Sequence, residues 1–316
     1  MAIYKKANPK IWSGRTSDQR LYMHEKIKCG PIESISPHSI ALLGYECDEG
    51  VKRNQGRVGA VDGPNAIRAQ LGKMPNHLDS KTEVYDCGTI QCIKGDMEVT
   101  QNKLSQMVSK SLTKNALPII LGGGHDIAYG HYNGLADHIG KRKTIGIINF
   151  DAHFDLRSVE NGPNSGTPFY QIAQDCNANG TPFKYLCLGI RPDSNDKNLF
   201  ETAIDLEVEF LRNTEFNIQK LKTVSRVIKK FISGVNHVYV TIDLDGFSSA
   251  YAPGVSAASP MGFSPDIVLR SLGTIIKSKK LLGMDIAEMN PTYDIDDQTA
   301  KLAASLIHFV IHRISE

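Results

Sequence analysis

The chain has 316 residues, a formal net charge of +2 and 41% hydrophobic residues. This balance gives no strong field for nucleic acid or an anionic membrane surface, so we expect neither as a partner. The amino-terminal residues lack the apolar core of a signal peptide, and no stretch approaches the roughly 18 apolar residues of a membrane span. The six cysteines form no C-x-x-C pair. These features predict a cytoplasmic protein with reduced thiols.

The first 38 residues are polar and contain the breakers Gly30-Pro31 and Ser36-Pro37. We therefore predict an N-terminal extension over 1–38, with one short helix near 18–28. No linker, repeat or low-complexity segment interrupts 39–316, which is predicted to form a single domain.

Eight mostly apolar segments of this domain alternate with amphipathic ones. The predicted strands are 39–45, 83–88, 116–121, 144–150, 185–191, 208–211, 237–245 and 280–288. The predicted helices are 97–115, 127–139, 167–175, 217–233, 264–279 and 298–313, with another beginning at Gly63-Pro64. Apolar strands between helices indicate an α/β fold with a parallel sheet covered on both faces, whose ligands bind beyond the carboxyl ends of the strands.

Polar side chains follow the predicted strand 144–150 in the sequence D-A-H-F-D. Asp151, His153 and Asp155 alternate with apolar residues. In an extended chain, alternate side chains point the same way, so two carboxylates and an imidazole converge on one small volume. Such a group is costly unless a cation lies between its members, and the pattern therefore predicts a metal site.

Two other strand ends carry residues of the same kind. His125 follows strand 116–121 on a glycine turn, and Asp243 and Asp245 end strand 237–245. Alone, the D-x-D pair could cap a helix or face solvent, and His125 could be an ordinary polar residue with its hydrogen bonds satisfied. At the same edge of one sheet, four carboxylates and two imidazoles favour two divalent ions. Oxygen-rich ligation suits Mn²⁺ better than structural zinc.

Four ordered motifs carry a family resemblance. G-G-G-H125, N-F-D151-A-H153-F-D155, I-D243-L-D245 with A-P-G-V255, and G-M-D285-I-A-E288-M-N-P291 resemble the motif series of the ureohydrolases, which include arginase and agmatinase. The resemblance runs from about residue 56 to the carboxyl terminus. It implies one α/β domain over 39–316 with an eight-stranded parallel sheet.

The same resemblance implies roles for the candidate residues. One Mn²⁺ would be held by His125, Asp151, Asp155 and Asp243, and the other by Asp151, His153, Asp243 and Asp245. Asp151 and Asp243 would then bridge the two ions of each subunit. Asp155 would also pass a proton from the nucleophile, a hydroxide between the ions, to the leaving amine. Glu288 would hydrogen-bond the planar C–N group of the substrate, although a salt bridge to a neighbouring base is the ordinary alternative.

The substrate prediction depends on a departure from arginase. Where arginase and agmatinase have H-G-x-P, this chain has S165-G-T-P, which is similar to the formimidoylglutamase branch, as is G-I-R191 followed by Ser194-Asn195. That branch hydrolyses N-formimidoyl-L-glutamate to L-glutamate and formamide in histidine degradation. Arg57, Arg157 and Arg191 are candidate partners for the two substrate carboxylates, together with Ser165.

Two other functions stay open at this point. A guanidino-compound hydrolase of the same family would release urea. A non-catalytic, metal-retaining homologue is disfavoured because all six ligands and Glu288 are present. The resemblance also leads us to expect a homo-oligomer.

Overall fold

The computed structural model describes residues 1–315, in which ten strands form one sheet. The strands are β1 (Ala2–Lys5), β2 (Lys28–Cys29), β3 (Ile40–Glu46), β4 (Val84–Cys92), β5 (Leu117–Leu121), β6 (Ile145–Phe150), β7 (Lys184–Ile190), β8 (Glu209–Arg212), β9 (His237–Asp243) and β10 (Leu281–Ala287). The sheet order is β1-β4-β3-β5-β10-β9-β6-β7-β8, with β2 paired to β4. The eight predicted strands are β3 to β10, and all of them are parallel.

Ten helices connect or flank these strands. They are α1 (Met23–Lys26), α2 (Glu49–Arg53), α3 (Gly63–Gly72), α4 (Met97–Thr113), α5 (Ile127–Ile139), α6 (Pro168–Asn179), α7 (Lys197–Asp205), α8 (Leu221–Ser233), α9 (Pro265–Lys277) and α10 (Gln298–Ser315). Short 3-10 turns occupy Pro9–Ile11, Ile32–Ser34, Ala60–Asp62, Ile218–Lys220, Leu244–Gly246 and Pro291–Tyr293. None of the helices within 1–315 is both long and apolar enough to cross a membrane.

Two hydrophobic cores lie on opposite faces of the sheet. Leu42 of β3 packs in one core with α3, α8, α9 and α10, whereas its neighbour Leu43 packs in the other with α4, α5 and α6. Successive strand residues point to opposite faces, so a strand buried on both sides needs apolar residues at nearly every position. This layering confirms the predicted α/β fold with helices on both faces of the sheet.

The N-terminal segment is more ordered than its composition suggests. Strand β1 pairs antiparallel with β4, and the short β2 also pairs with β4. Trp12 is buried in the core beside α3, and the predicted short helix is α1. Segments of two to four residues carry too little periodicity to be recognised, and the open edge of β4 supplies the hydrogen bonds that stabilise them. The division at residues 38 and 39 stays a prediction.

All six cysteines are free thiols, four of them buried; Cys29 is exposed and Cys92 half-buried.

Candidate metal centre and substrate cavity

Adjacent strands bring the predicted ligands to one edge of the sheet. The order β5-β10-β9-β6 places four strands side by side in the middle of the sheet. His125 follows β5, Asp151 follows β6, Asp243 ends β9, and Glu288 follows β10. Parallel strands end at the same edge, so residues far apart in the sequence meet there.

The first group of ligand atoms surrounds the imidazole of His125. Its Nδ1 lies 2.8 Å from Asp155 Oδ2, 3.1 Å from Asp243 Oδ2 and 3.3 Å from Asp151 Oδ2. The ligand atoms of all four residues lie within 4.8 Å of one another. One ring nitrogen can donate at most one proton, so three carboxylate oxygens around it form a cradle for a cation rather than a hydrogen-bond network.

The second group surrounds His153. Its Nδ1 lies 3.3 Å from Asp245 Oδ2 and 3.4 Å from Asp151 Oδ1. Asp151 therefore turns one oxygen to each group, which suits a bridging ligand. Asp243 lies with the first group; its other oxygen accepts a hydrogen bond of 2.8 Å from the Asp245 backbone N–H.

The electrostatics of these two groups indicate surplus negative charge. Burial and the neighbouring Asp151 raise the pKa of Asp155 to about 6, and burial with Asp243 raises the pKa of Asp245 well above its usual value. Burial alone would lower the pKa of His125, but the surrounding carboxylates, Asp243 first among them, hold that pKa well above the ordinary range. A site whose groups hold their protons so strongly is suited to divalent cations, because those ions would take the place of the protons.

The glycine turn before His125 depends on close backbone approach. A Cβ at Gly123 would stand 1.9 Å from the carbonyl oxygen of Cys47, so glycine is required there. Asp155 and Glu288 both adopt left-handed backbone, with φ of 49° and 65°. This backbone conformation is uncommon outside glycine, and at these two positions the surrounding structure has to hold it.

Asn195 holds the D-A-H-F-D segment in place. Its Oδ1 accepts from the Phe154 N–H at 3.0 Å, while its Nδ2 donates to the carbonyls of Ala152 and Arg191. In the sequence, Asn195 stands out only as part of a family pattern. Its position shortly after predicted strand 185–191 is the one signal for a role at the same edge of the sheet.

A cavity of about 210 Å³ opens beside the two groups of ligand atoms. Its lining is Val51, Asn54, Gly56, His125, His153, Asp155, Arg157, Ser165, Ser194, Asn195, Leu199, Asp243, Asp245, Ser256, Ala257 and Glu288. A larger groove of about 840 Å³ between α4, α5 and α6 contains none of the ligands.

Glu288 lies in the wall of this cavity. Its Oε1 accepts a 2.9 Å hydrogen bond from the His125 backbone N–H, whereas Oε2 is buried without a hydrogen-bond partner among residues 1–315. Burial, followed by the charges of Asp243 and Asp245, raises the pKa of Glu288 well above its usual value. A buried carboxylate oxygen without a donor is costly, and a planar N–H group of a ligand would satisfy it.

The three predicted arginines occupy different surroundings. Arg157 lines the cavity. The guanidinium of Arg57 donates to the carbonyls of Val255 and Ser256 and lies over the ring of Tyr293, outside the cavity lining.

Arg191 also lies outside that lining. It is buried and forms a two-point ion pair with Asp193. Of the three arginines, only Arg157 is placed to contact a ligand in the cavity without first giving up other partners found in the structure.

Ser165, a predicted substrate-binding residue, lines the cavity, and a neighbour not singled out from the sequence accompanies it. Asn54 Nδ2 donates to Ser165 Oγ at 3.2 Å, and both side chains face the same space. Asn54 lies at the end of α2, and Ser256 enters from the loop after β9. Nothing in the local sequence indicates that these loops meet.

Comparisons with known proteins show the family of the chain. The sequence model described as "Arginase family" matches residues 38–312. Curated relatives named formimidoylglutamase include one from Chromobacterium violaceum, 43% identical over 302 residues, and one from Aeromonas salmonicida, 40% identical over 302 residues. Each alignment covers 94% of this chain and 96% of the relative.

Solved structures share the fold. Formimidoylglutamase from Bacillus subtilis superposes with a TM-score of 0.84 at 24% identity, covering 96% of this chain and 94% of that one. Arginase from Bacillus subtilis superposes with a TM-score of 0.74 at 25% identity, covering 86% of this chain and 98% of that one. The predicted family is confirmed: the chain belongs to the arginase family.

Proposed function

We propose that this protein is a formimidoylglutamase, which hydrolyses N-formimidoyl-L-glutamate with water to L-glutamate and formamide. The observation that carries the proposal is the free Oε2 of Glu288, buried in a cavity beside two groups of metal-ligand type residues. The names of the curated relatives support the choice of substrate within the family.

The proposed cofactor is two Mn²⁺ per chain. His125, Asp151, Asp155 and Asp243 would hold one ion, and Asp151, His153, Asp243 and Asp245 the other. The shared position of Asp151 supports this division. A Trypanosoma cruzi formiminoglutamase of similar fold is described with Mn²⁺. When bound, two such ions supply Lewis acidity and activate water as a nucleophile at neutral pH.

The residues of the chain would handle binding and proton transfer. Glu288 would accept N–H hydrogen bonds from the formimidoyl group. These bonds would hold the formimidoyl carbon beside the two groups of ligand atoms. Asp155 would take the proton of the attacking water and deliver it to the glutamate nitrogen as the C–N bond breaks.

Recognition of the glutamate part falls to the outer wall of the cavity. Arg157 would pair with a substrate carboxylate, while Ser165 and Asn54 donate or accept hydrogen bonds beside it. Arg57 and Arg191, also predicted as substrate-binding residues, would have to leave their present partners to take part. A cationic rim suits a dicarboxylate and disfavours agmatine, which carries a positive charge at its tail.

A cytoplasmic location and a homo-oligomeric state belong to the proposal as predictions. Both follow from the sequence reasoning and from membership of the family.

A product assay tests the proposed function. Purified protein loaded with Mn²⁺ is incubated separately with N-formimidoyl-L-glutamate, arginine, agmatine and guanidinobutyrate. We expect formamide and glutamate in equal amounts from the first and no urea from the others. Urea from a guanidino compound would replace the proposal with a guanidino-compound hydrolase, and no turnover of any substrate by metal-loaded protein would indicate a non-catalytic homologue.

A further inference from the structure

A chain of buried hydrogen bonds runs from His125 away from the cavity. The Nε2 of His125 lies 2.9 Å from Thr241 Oγ1, and the Thr241 hydroxyl donates to Asp285 Oδ1 at 2.5 Å. Thr241 and Asp285 are cross-strand neighbours in β9 and β10, and both are fully buried. Neither residue is a predicted site residue.

The second oxygen of Asp285 is also fully engaged. Asp285 Oδ2 accepts from the Tyr239 hydroxyl at 2.5 Å and from His131 Nδ1 at 2.6 Å. Each of these three side chains therefore donates a hydrogen bond to the Asp285 carboxylate. The carboxylate can only accept, so the proton of the Thr241 hydroxyl has to lie on the side of Asp285.

The direction of these bonds determines which nitrogen of His125 carries a proton. Because the Thr241 hydroxyl gives its proton to Asp285, its oxygen can only accept from His125, which places the ring proton on Nε2. In the neutral ring, which is the form that binds a metal ion, the lone pair then lies on Nδ1, the nitrogen that faces Asp151, Asp155 and Asp243. An imidazole binds a metal ion through such an unprotonated nitrogen.

We propose that Asp285, acting through Thr241, is a positioning residue that keeps His125 in the tautomer able to bind a metal ion. The inference rests on the proposed metal site. It assigns the aspartate of G-M-D285-I-A-E288 to metal affinity, without contact to the metal, the cavity or the substrate.

Replacing Asp285 by Asn reverses the chain of hydrogen bonds without changing its shape. Two donors, from Tyr239 and His131, converge at the Oδ2 position, so the amide oxygen belongs there. The amide N–H₂ then faces Thr241 and donates to its oxygen. Thr241 has to donate its own proton to His125 Nε2, which moves the ring proton to Nδ1 and closes that nitrogen to metal.

The test measures Mn²⁺ bound per chain, and the dissociation constant of each ion by electron paramagnetic resonance, in the full-length protein. We expect two ions in the wild type and loss of one in Asp285→Asn, with its affinity weakened by about 100-fold. Tyr239→Phe removes a donor to Asp285 but leaves the direction of the Thr241 hydroxyl intact, so its affinity should stay close to that of the wild type. Circular dichroism verifies that each variant folds.

A double-mutant cycle separates this role from simple packing. Thr241→Val removes the hydroxyl that transmits the effect, so it should weaken the affinity for one Mn²⁺ by about 10-fold. In the Thr241→Val background, Asp285→Asn should then cause almost no further loss of Mn²⁺ affinity. If Asp285→Asn fails to fold, Thr241→Ser, which keeps the hydroxyl, should retain both ions where Thr241→Val does not.

Each outcome bears on a different claim. A wild type that binds no Mn²⁺ overturns the proposed metal site and the positioning role with it. If Asp285→Asn binds two Mn²⁺ ions as tightly as the wild type does, the positioning role alone is overturned. The same holds for an equal loss of affinity from Asp285→Asn in both Thr241 backgrounds, or equal retention of metal by Thr241→Ser and Thr241→Val.

Discussion

Two buried charged clusters in this protein differ in how their charges are balanced. The arginine cluster consists of Arg68 and Asp86, which are 2% and 1% exposed, with Thr89 and Trp12. Arg68 Nη2 lies 3.0 Å from Asp86 Oδ1, Nη1 donates to Thr89 Oγ1, and Trp12 Nε1 donates to Asp86 Oδ2 at 2.8 Å. One positive and one negative charge cancel within the chain.

The acidic cluster lies beyond the ends of β5, β9 and β6, at the edge of the sheet that carries the cavity. It comprises His125, Asp151, His153, Asp155, Asp243 and Asp245. Four carboxylates exceed what two imidazoles can neutralise, and the pKa values of Asp155 and Asp245 rise as a result of burial and mutual repulsion. A cluster balanced by its own chain needs no ligand charge, whereas an unbalanced one indicates that positive charge comes from a ligand.

The largest expected effect is at the acidic cluster. Asp243→Ala removes a buried carboxylate of the first group, so we expect loss of bound metal and a fall in kcat/KM of about 10³-fold or more. Metal analysis and the formamide assay measure the two effects. Asp205→Ala, at the exposed end of α7, is the matched control. Turnover that survives Asp243→Ala would contradict the two-metal proposal.

Substitutions in the arginine cluster should lower the free energy of unfolding and leave metal binding unchanged. Arg68→Met leaves Asp86 buried without its cation, which is expected to cost about 3–5 kcal/mol in the free energy of unfolding. Urea denaturation measures this loss, and the metal content of the folded protein should not change. The double variant Arg68→Met/Asp86→Leu should recover part of the stability. A loss of metal in Arg68→Met would show that the two clusters are coupled.

The smallest expected effect is at the cavity wall. Arg157→Ala should raise KM for N-formimidoyl-L-glutamate by about 10-fold, because a charge-assisted hydrogen bond to a carboxylate contributes about 1.5 kcal/mol or more. Arg57→Ala and Arg191→Ala should raise KM less, since their guanidinium groups already have partners. Steady-state kinetics ranks the three variants by their KM for N-formimidoyl-L-glutamate. A larger effect at Arg191 would mean that its pair with Asp193 opens when substrate binds.

Sequence periodicity predicted the fold well and the edges of the sheet poorly. The apolar segments that became β3 to β10 are long and bounded by turns, which makes them recognisable. Strands β1 and β2 and helices α2 and α7 went unrecognised. The two strands are very short, and α2 lies in a polar, glycine-rich stretch where propensity is weak.

The two parts of the candidate site also differ in how visible they were. The metal-ligand type residues stand at strand ends in tight motifs, and the structure brings all six together. Asn54 and Ser256 lie on loops whose approach depends on how the helices pack, so no local pattern marks them.

By itself, the sequence determined the layered α/β fold, the family and the residues that could hold metal. Strand periodicity is local, and adjacent parallel strands necessarily end at one edge. Only the tertiary structure decided which arginine faces the cavity, which oxygen of Glu288 lacks a donor, and which way the hydrogen bonds run from Asp285 to His125. Most of these properties depend on contacts between residues far apart in the chain, such as Thr241 with Asp285 and His125, whose distances no sequence spacing encodes.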